Sequence, residues 1–291
     1  MKNILVLTDF SERAKFAAEY AMNIAITTKS NILLCHALEI TEQLTYPLAD
    51  HLVLRNQSMK RLKGVGMHLN ARVKNADDFC PSISYINDLD MLTEVTEKLI
   101  NGNSVKLVVI GAHKSNSLSR FFFGSHTNDI LDNINCPVLL VPENAVFKPI
   151  SNIFYATDLT FNNTRVIAYL AKLAKPFSSK ILVNHISPLD LPLTDEERNI
   201  ESSIMNQVGM ESSKLTYRTL KGESVSKRLM EVIDSGEVDL LTLVHKRYDF
   251  FEGLFHTSIS KQLAKTTKVP LLVMPYSFSL DNESVEKPLF I

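Results

Sequence analysis

Gly111, Gly124 and Ser125 are the residues of this chain whose types and spacing suit a phosphate. The apolar run Leu107 to Ile110 stops at Gly111, and a loop leads to Gly124-Ser125-His126-Thr127 at the head of a helical segment. A glycine at a strand end lets a ligand approach the backbone closely. Gly-Ser in a first helical turn offers unpaired N–H groups, a hydroxyl and the positive end of the helix dipole. The same residues also make an ordinary strand-to-helix connection with a serine cap. Lys114 and Arg120 bring positive charge to that loop, either for a phosphate or for solvent, and His113 and His126 flank it. Thr8-Asp9 closes an earlier apolar run. The Asp9 carboxylate suits a ribose or an adenine amine, and equally the first turn of a helix that begins near Ser11. Ala37 closes a third run, where its backbone can meet a base edge. Nothing resembles a P-loop, a nucleophile-elbow serine or a Cys/His pair of known spacing, so catalysis has no positive support.

The elements that must hold these residues occur twice. Residues 3–38 lie over residues 152–187 at an offset of 149, with Thr8-Asp9 on Thr157-Asp158 and His36 on His185. Farther on the offset falls to 133, which places Lys106 on Asp239 and Pro137 on Pro270, so the second copy has lost 16 residues between its second and third strands. Each copy alternates short apolar runs with helical periodicity, the pattern of βαβ units in a parallel sheet. In the first copy the strands read Ile4–Leu7, Ile32–His36, Ser82–Ile86, Leu107–Ile110 and Val138–Val141. Between the first two, Ala14, Ala17, Ala18, Ala21 and Ala25 share one helical face that permits close packing on a sheet. Leu52, Met59, Leu62, Leu69 and Val73 fall at helical spacing in a second helix that Gly64 and Gly66 weaken. Further helices run from about Leu89 to Ile100 and from Ser125 to Asn133. His36 and His185 end matching strands, where a ring satisfied by hydrogen bonds fits better than a metal role without partners. The expected domains are residues 1–146, carrying the candidate site, and 147–278, followed by a tail over 279–291 docked through Leu289, Phe290 and Ile291.

At 291 residues the chain suits two domains better than one core. Hydrophobic residues at 45% and charged residues at 22% are the balance of a globular protein. A net charge of -1 gives no overall pull toward nucleic acid or anionic lipid, and neither is expected as a partner. No apolar run reaches the length of a membrane span, and the start of the chain lacks a signal h-region. Cys35, Cys80 and Cys136 have no metal-ligand spacing, so reduced thiols in a cytoplasmic protein are expected, with Cys35 and Cys136 as small core residues.

Taken in one order, TDFSERA, LLCHAL, VVIGAHK, FFGSHTNDIL and CPVLLVP resemble the universal stress protein family, in a tandem form that covers nearly the whole chain. The resemblance implies an α/β fold with two tandem open parallel five-stranded sheets, order 3-2-1-4-5, helices on both faces, of the adenine nucleotide alpha hydrolase-like kind. It implies pairing of fifth strands, here Val138–Val141 with Leu271–Met274 as an internal domain pair, with a homodimer as a further option. Many members bind ATP through two spaced glycines followed by Gly-Ser or Gly-Thr. Gly111 and Gly124-Ser125 match that pattern, while Lys114 stands where the middle glycine belongs. Carried over, Thr8 and Asp9 contact the nucleoside, Ala37 pairs with adenine, and Gly111, Lys114, Gly124, Ser125, His126 and Thr127 surround ribose and phosphates. ATP or AMP is the implied ligand, with Mg2+ beside a triphosphate, in a regulatory or stress-response role with at most weak ATP hydrolysis. In the second copy Val244, Arg247 and Thr257 replace the glycines and only Ser258 remains, so a degenerate site is expected there. The alternative is a protein-interaction module of the same fold, built on Lys114, Phe121-Phe122-Phe123 and Leu254-Phe255.

Overall fold

The computed structural model describes residues 3–37, 48–73, 78–112, 125–143, 145–159, 163–188, 192–211, 214–222, 225–245 and 269–279. The chain divides into two compact units, Met1–Lys148 with Ala264–Leu272, and Pro149–Leu263 with Val273–Ile291. The first unit runs β1 (Asn3–Leu7), α1 (Glu12–Thr28), β2 (Asn31–Ala37), α2 (Leu48–Asn70), β3 (Ile83–Asp88), α3 (Leu92–Gly102), β4 (Val105–Gly111), α4 (Ser125–Asn133) and β5 (Val138–Val141). Its strands pair in parallel in the order β3-β2-β1-β4-β5, the 3-2-1-4-5 arrangement expected. The second unit runs β6 (Asn152–Thr157), α5 (Thr164–Ala174), β7 (Lys180–Pro188), α6 (Asp195–Glu211), β8 (Leu215–Gly222), α7 (Val225–Asp234), β9 (Leu240–His245) and β10 (Leu271–Pro275), with the division between units falling inside β10. Counted within the copy, its order β8-β7-β6-β9-β10 is again 3-2-1-4-5. Part of the loss from the second copy is a shorter helix, 17 residues in α6 against 23 in α2.

The central strands are near-continuous apolar runs because helices cover both faces of each sheet. Ile4, Leu5 and Val6 of β1 are fully buried, as are Val108 and Val109 of β4 beside them. Ser11 caps α1 by accepting a hydrogen bond from the Ala14 N–H at 3.3 Å, and the helix stops at Lys29 in a left-handed conformation. All five alanines of the expected face are buried, which brings α1 close to the sheet. The expected second helix is α2, in which Leu62 and Leu69 are fully buried while Leu52 is 59% exposed, with Val53 and Leu54 also exposed. The glycine at 66 also has a packing cause: a Cβ there would lie 2.1 Å from the Tyr85 hydroxyl of β3. Pro137 and Pro270 precede β5 and β10 directly, and the Pro137 carbonyl accepts from the Val108 N–H at 2.9 Å.

Cys35 and Cys136 are buried, and burial pushes both thiols up to about 12, so they pack as apolar groups. Residues following β10 dock on α5: Phe278 meets Tyr169 edge-on at 5.9 Å, and the Arg165 guanidinium donates to the Ser277 carbonyl at 3.2 Å. Leu289, Phe290 and Ile291 lie outside the described residues. No helix among the described residues is long and apolar enough to cross a membrane, and no group of three or more His, Cys, Asp or Glu among them is placed to hold a metal ion.

Candidate functional site

Parallel strands end at a common edge, so the topology of the first unit sets Thr8-Asp9 after β1, His36-Ala37 at the end of β2, Asn87-Asp88 at the end of β3 and Gly111 at the end of β4 along one line. Because α4 links two parallel strands, it runs against them, and its first turn at Ser125 opens toward the same edge. Lys114 and Gly124, the side chains of Ser125 and His126, and His113, Arg120 and Phe121 to Phe123 lie outside the described residues. Thr127 is half-buried in the first turn of α4.

The turn after β1 is built by short-range hydrogen bonds. Thr8 Oγ1 accepts from the Phe10 N–H at 3.0 Å, and the Thr8 N–H donates to the Cys35 carbonyl at 2.9 Å. Asp9 Oδ1 accepts from the Ser11 N–H at 2.9 Å and from the Ser11 hydroxyl, while Asp9 Oδ2 pairs with Arg13 at 2.6 Å. Burial opposes ionisation of Asp9, but the Ser11 hydroxyl, the Ser11 N–H and Arg13 together outweigh it and hold the carboxyl below its ordinary value. Asp9 is therefore not itself the cap. It braces Ser11, which is, and its side chain remains 49% exposed for a further contact.

Sequence reading anticipated a satisfied histidine ring, and the structure supplies its partner. His36 Nδ1 donates to the Thr8 carbonyl at 2.7 Å, which fixes the proton on Nδ1 and leaves Nε2 as the acceptor. The second unit repeats the bond between His185 Nδ1 and the Thr157 carbonyl at 3.2 Å. Burial lowers the His36 pKa, against the Thr8 bond and Asp9, which raise it, and with Arg61, which lowers it further. A lowered histidine pKa stabilises the fold above the unfolded value and loses that contribution as pH falls from there through the lowered folded value. Thermal midpoints measured from pH 7.5 to pH 5.5 should fall more steeply for the wild type than for His36→Asn, whose amide keeps a donor without titrating. Parallel slopes would exclude His36 as the titrating group.

Two residues of the edge escaped sequence reading. Phe10 adopts a left-handed conformation at φ 63, unusual for a bulky residue, and its ring lies 4.4 Å from the His36 ring. The Arg61 guanidinium of α2 lies over the Phe10 ring at 4.1 Å from its centroid. Leu159, which matches Phe10 in the repeat, is left-handed as well at φ 58, with its N–H bonded to Thr157 Oγ1 at 3.2 Å. That correspondence was the available signal. Beside the stack, buried Asn87 donates to the Arg55 carbonyl at 2.7 Å, and its Oδ1 has no partner among the described residues.

Gly111 has a cause the sequence did not disclose. A Cβ at Gly111 would lie 2.6 Å from the Arg13 carbonyl oxygen and 3.0 Å from the Ala14 nitrogen, so the glycine admits the first turn of α1. The neighbouring Ala112 N–H donates to the Val141 carbonyl at 2.8 Å. In the second unit Val244 stands at the matching place and is buried. There α5 begins at Thr164, whereas the offset of 149 would start it at Phe161. Asn163, at the place of Ala14, accepts a buried hydrogen bond from the Tyr155 hydroxyl. Arg247, Leu254, Phe255, Thr257 and Ser258 lie outside the described residues.

A family model described as the universal stress protein family matches residues 1–142. No curated protein matches the chain. Among solved structures, a universal stress protein from Archaeoglobus fulgidus DSM 4304 aligns with a TM-score of 0.66 at 13% identity over 94% of this chain and 96% of that one. A functionally unknown protein from Pseudomonas aeruginosa PAO1 aligns with a TM-score of 0.55 at 15% identity over 94% and 92%. The cytoplasmic domain of a prokaryotic cation chloride cotransporter aligns with a TM-score of 0.52 at 10% identity over 94% of each chain. The same architecture thus serves proteins of different function, and these likenesses establish the fold alone.

Proposed function

Since the chain belongs, through residues 1–142, to the universal stress protein family, we propose that the carboxyl edge of its first unit binds an adenine nucleotide, ATP or AMP, in a regulatory or stress-response role. The observation that supports this most is the gathering of Asp9, Ala37, Gly111 and the N-terminus of α4 at one sheet edge. Asp9 keeps half its carboxylate open to a ribose, Ala37 offers backbone to a base edge, and the first turn of α4 offers N–H groups to phosphate. The residues present fit a nucleoside monophosphate. For a triphosphate, Mg2+ supplies charge neutralisation beside the phosphates, with Lys114 at the middle position of the motif. Gly124, Ser125, His126, Thr127 and Thr8 complete the proposed contacts. The domain limits proposed are 1–146 and 147–278, the second domain being degenerate as a nucleotide site.

Isothermal titration of the full chain with ATP and with AMP should give about one site per chain, and Gly124→Asp should remove it by placing a carboxylate against the phosphate. Absence of binding at millimolar nucleotide refutes the proposal. A second reading, a protein-interaction module of the same fold, rests on the exposed apolar run Leu52, Val53 and Leu54 of α2. It predicts a protein partner whose capture does not depend on nucleotide.

A further inference from the structure

A cleft of about 580 Å³ opens in the second unit at the amino ends of β7 and β8, remote in the sheet from the carboxyl edge. Ala168, Ala171 and Leu215 line its floor, and Lys172, Lys175 and Lys214 stand around it. Among the described residues that line it there is no carboxylate. Lys172 and Lys175 also suit the carbonyl end of α5, but that role needs no cavity beside them.

The internal repeat shows what is missing. Ala168 lies on Glu19 of the first unit, Ala171 on Met22, Lys172 on Asn23 and Lys175 on Ile26. In the first unit this corner is closed: Met22 is fully buried, and Glu19 accepts from the His68 ring at 2.7 Å and pairs with Arg72 at 3.1 Å, both near the end of α2. Lys214 directly precedes β8, its carbonyl accepting from the Ile181 N–H at 2.9 Å as the Ser82 carbonyl accepts from the Ile32 N–H, and its ammonium donates to the Ser178 carbonyl at 3.0 Å. The second unit therefore carries lysines at this corner where the first has Asn23, Ile26 and Ser82, and has methyl groups in place of both the carboxylate and the apolar plug.

We propose that the cleft binds a small carboxylic acid with a compact apolar body, whose carboxylate takes the place of Glu19 among the lysines and whose body takes the place of Met22. The volume is that of a small-molecule site, and the apolar floor with a few convergent cations is the usual make-up of one. This site is independent of the nucleotide reading, since it lies in the other unit and at the opposite sheet edge.

Titration of the full chain with octanoate, and with octanol as an uncharged match, tests it. Octanoate should bind while octanol binds at least about tenfold more weakly, a difference of about 1.4 kcal/mol. Ala168→Glu restores the internal carboxylate and Ala171→Met restores the plug, and each should weaken octanoate about tenfold or more while leaving nucleotide titration unchanged. Both substitutions copy residues that the matching helix of the first unit already carries, and the circular dichroism and thermal midpoint of each variant should match the wild type. No octanoate binding at 10 mM, equal binding of acid and alcohol, or unaltered affinity in both variants overturns the assignment.

Discussion

Replacing Gly111 with alanine is expected to lower the unfolding free energy of the first unit by about 1–3 kcal/mol, and replacing it with valine by more. The obstacle is backbone: the added Cβ meets the Arg13 carbonyl at 2.6 Å, and neither β4 nor the first turn of α1 has a side chain that can swing away. Relief requires α1 to lift from the sheet, which loosens the packing of Ala14, Ala17 and Ala18, all buried beneath it. Gly66 makes the useful contrast, because the atom it would strike is the far end of Tyr85. Urea unfolding of the full chain followed by circular dichroism should show the transition of one unit moved to lower denaturant and the other retained. An unchanged midpoint with lost nucleotide binding would instead assign Gly111 to ligand approach.

The second large effect is expected at Met22, where alanine should cost about 2–5 kcal/mol. Met22 of α1 is fully buried, and truncation removes its transfer energy and leaves a void that rigid neighbours fill only in part. Alanine already occupies the matching position at Ala171, half-exposed on the cleft, so the same truncation has opposite meanings in the two copies. Calorimetry of Met22→Ala should place the loss in the first unit. A loss below about 0.5 kcal/mol would show that the site collapses freely and that the two corners differ less than their side chains suggest.

Most of the architecture was legible because parallel strands flanked by helices must be apolar throughout, and such runs stand out even at four residues, as in Val138–Val141. The repeat showed the same succession of elements twice, while their 3-2-1-4-5 order came from the family resemblance. Boundaries shifted by one to three residues, as at β4, which begins at Val105. Leu52 lies in the expected helix yet is exposed, because helical spacing marks a helix and not which of its turns are covered. Asp9 kept two readings in the sequence because an exposed carboxylate in a turn serves a helix start and a ligand by the same hydrogen bonds, and the structure shows the first without preventing the second. Phe10 and Arg61 were invisible for a different reason: their contact joins a left-handed turn to a helix more than fifty residues later, and no periodicity encodes it. The lysine cleft was likewise hidden, since what defines it is the absence of Glu19 and Met22 from one copy.

The imidazole bonds from His36 to Thr8 and from His185 to Thr157 have a bearing on how such a duplicated chain changes over time. Each latch is made by residues outside the glycine pattern, so the strand-end turn of the second unit keeps its left-handed residue, Leu159 for Phe10, although Val244, Arg247 and Thr257 stand at the positions of that pattern. Re-tooling that half for a new small molecule therefore demands altered side chains on a scaffold already set, not a rebuilt loop.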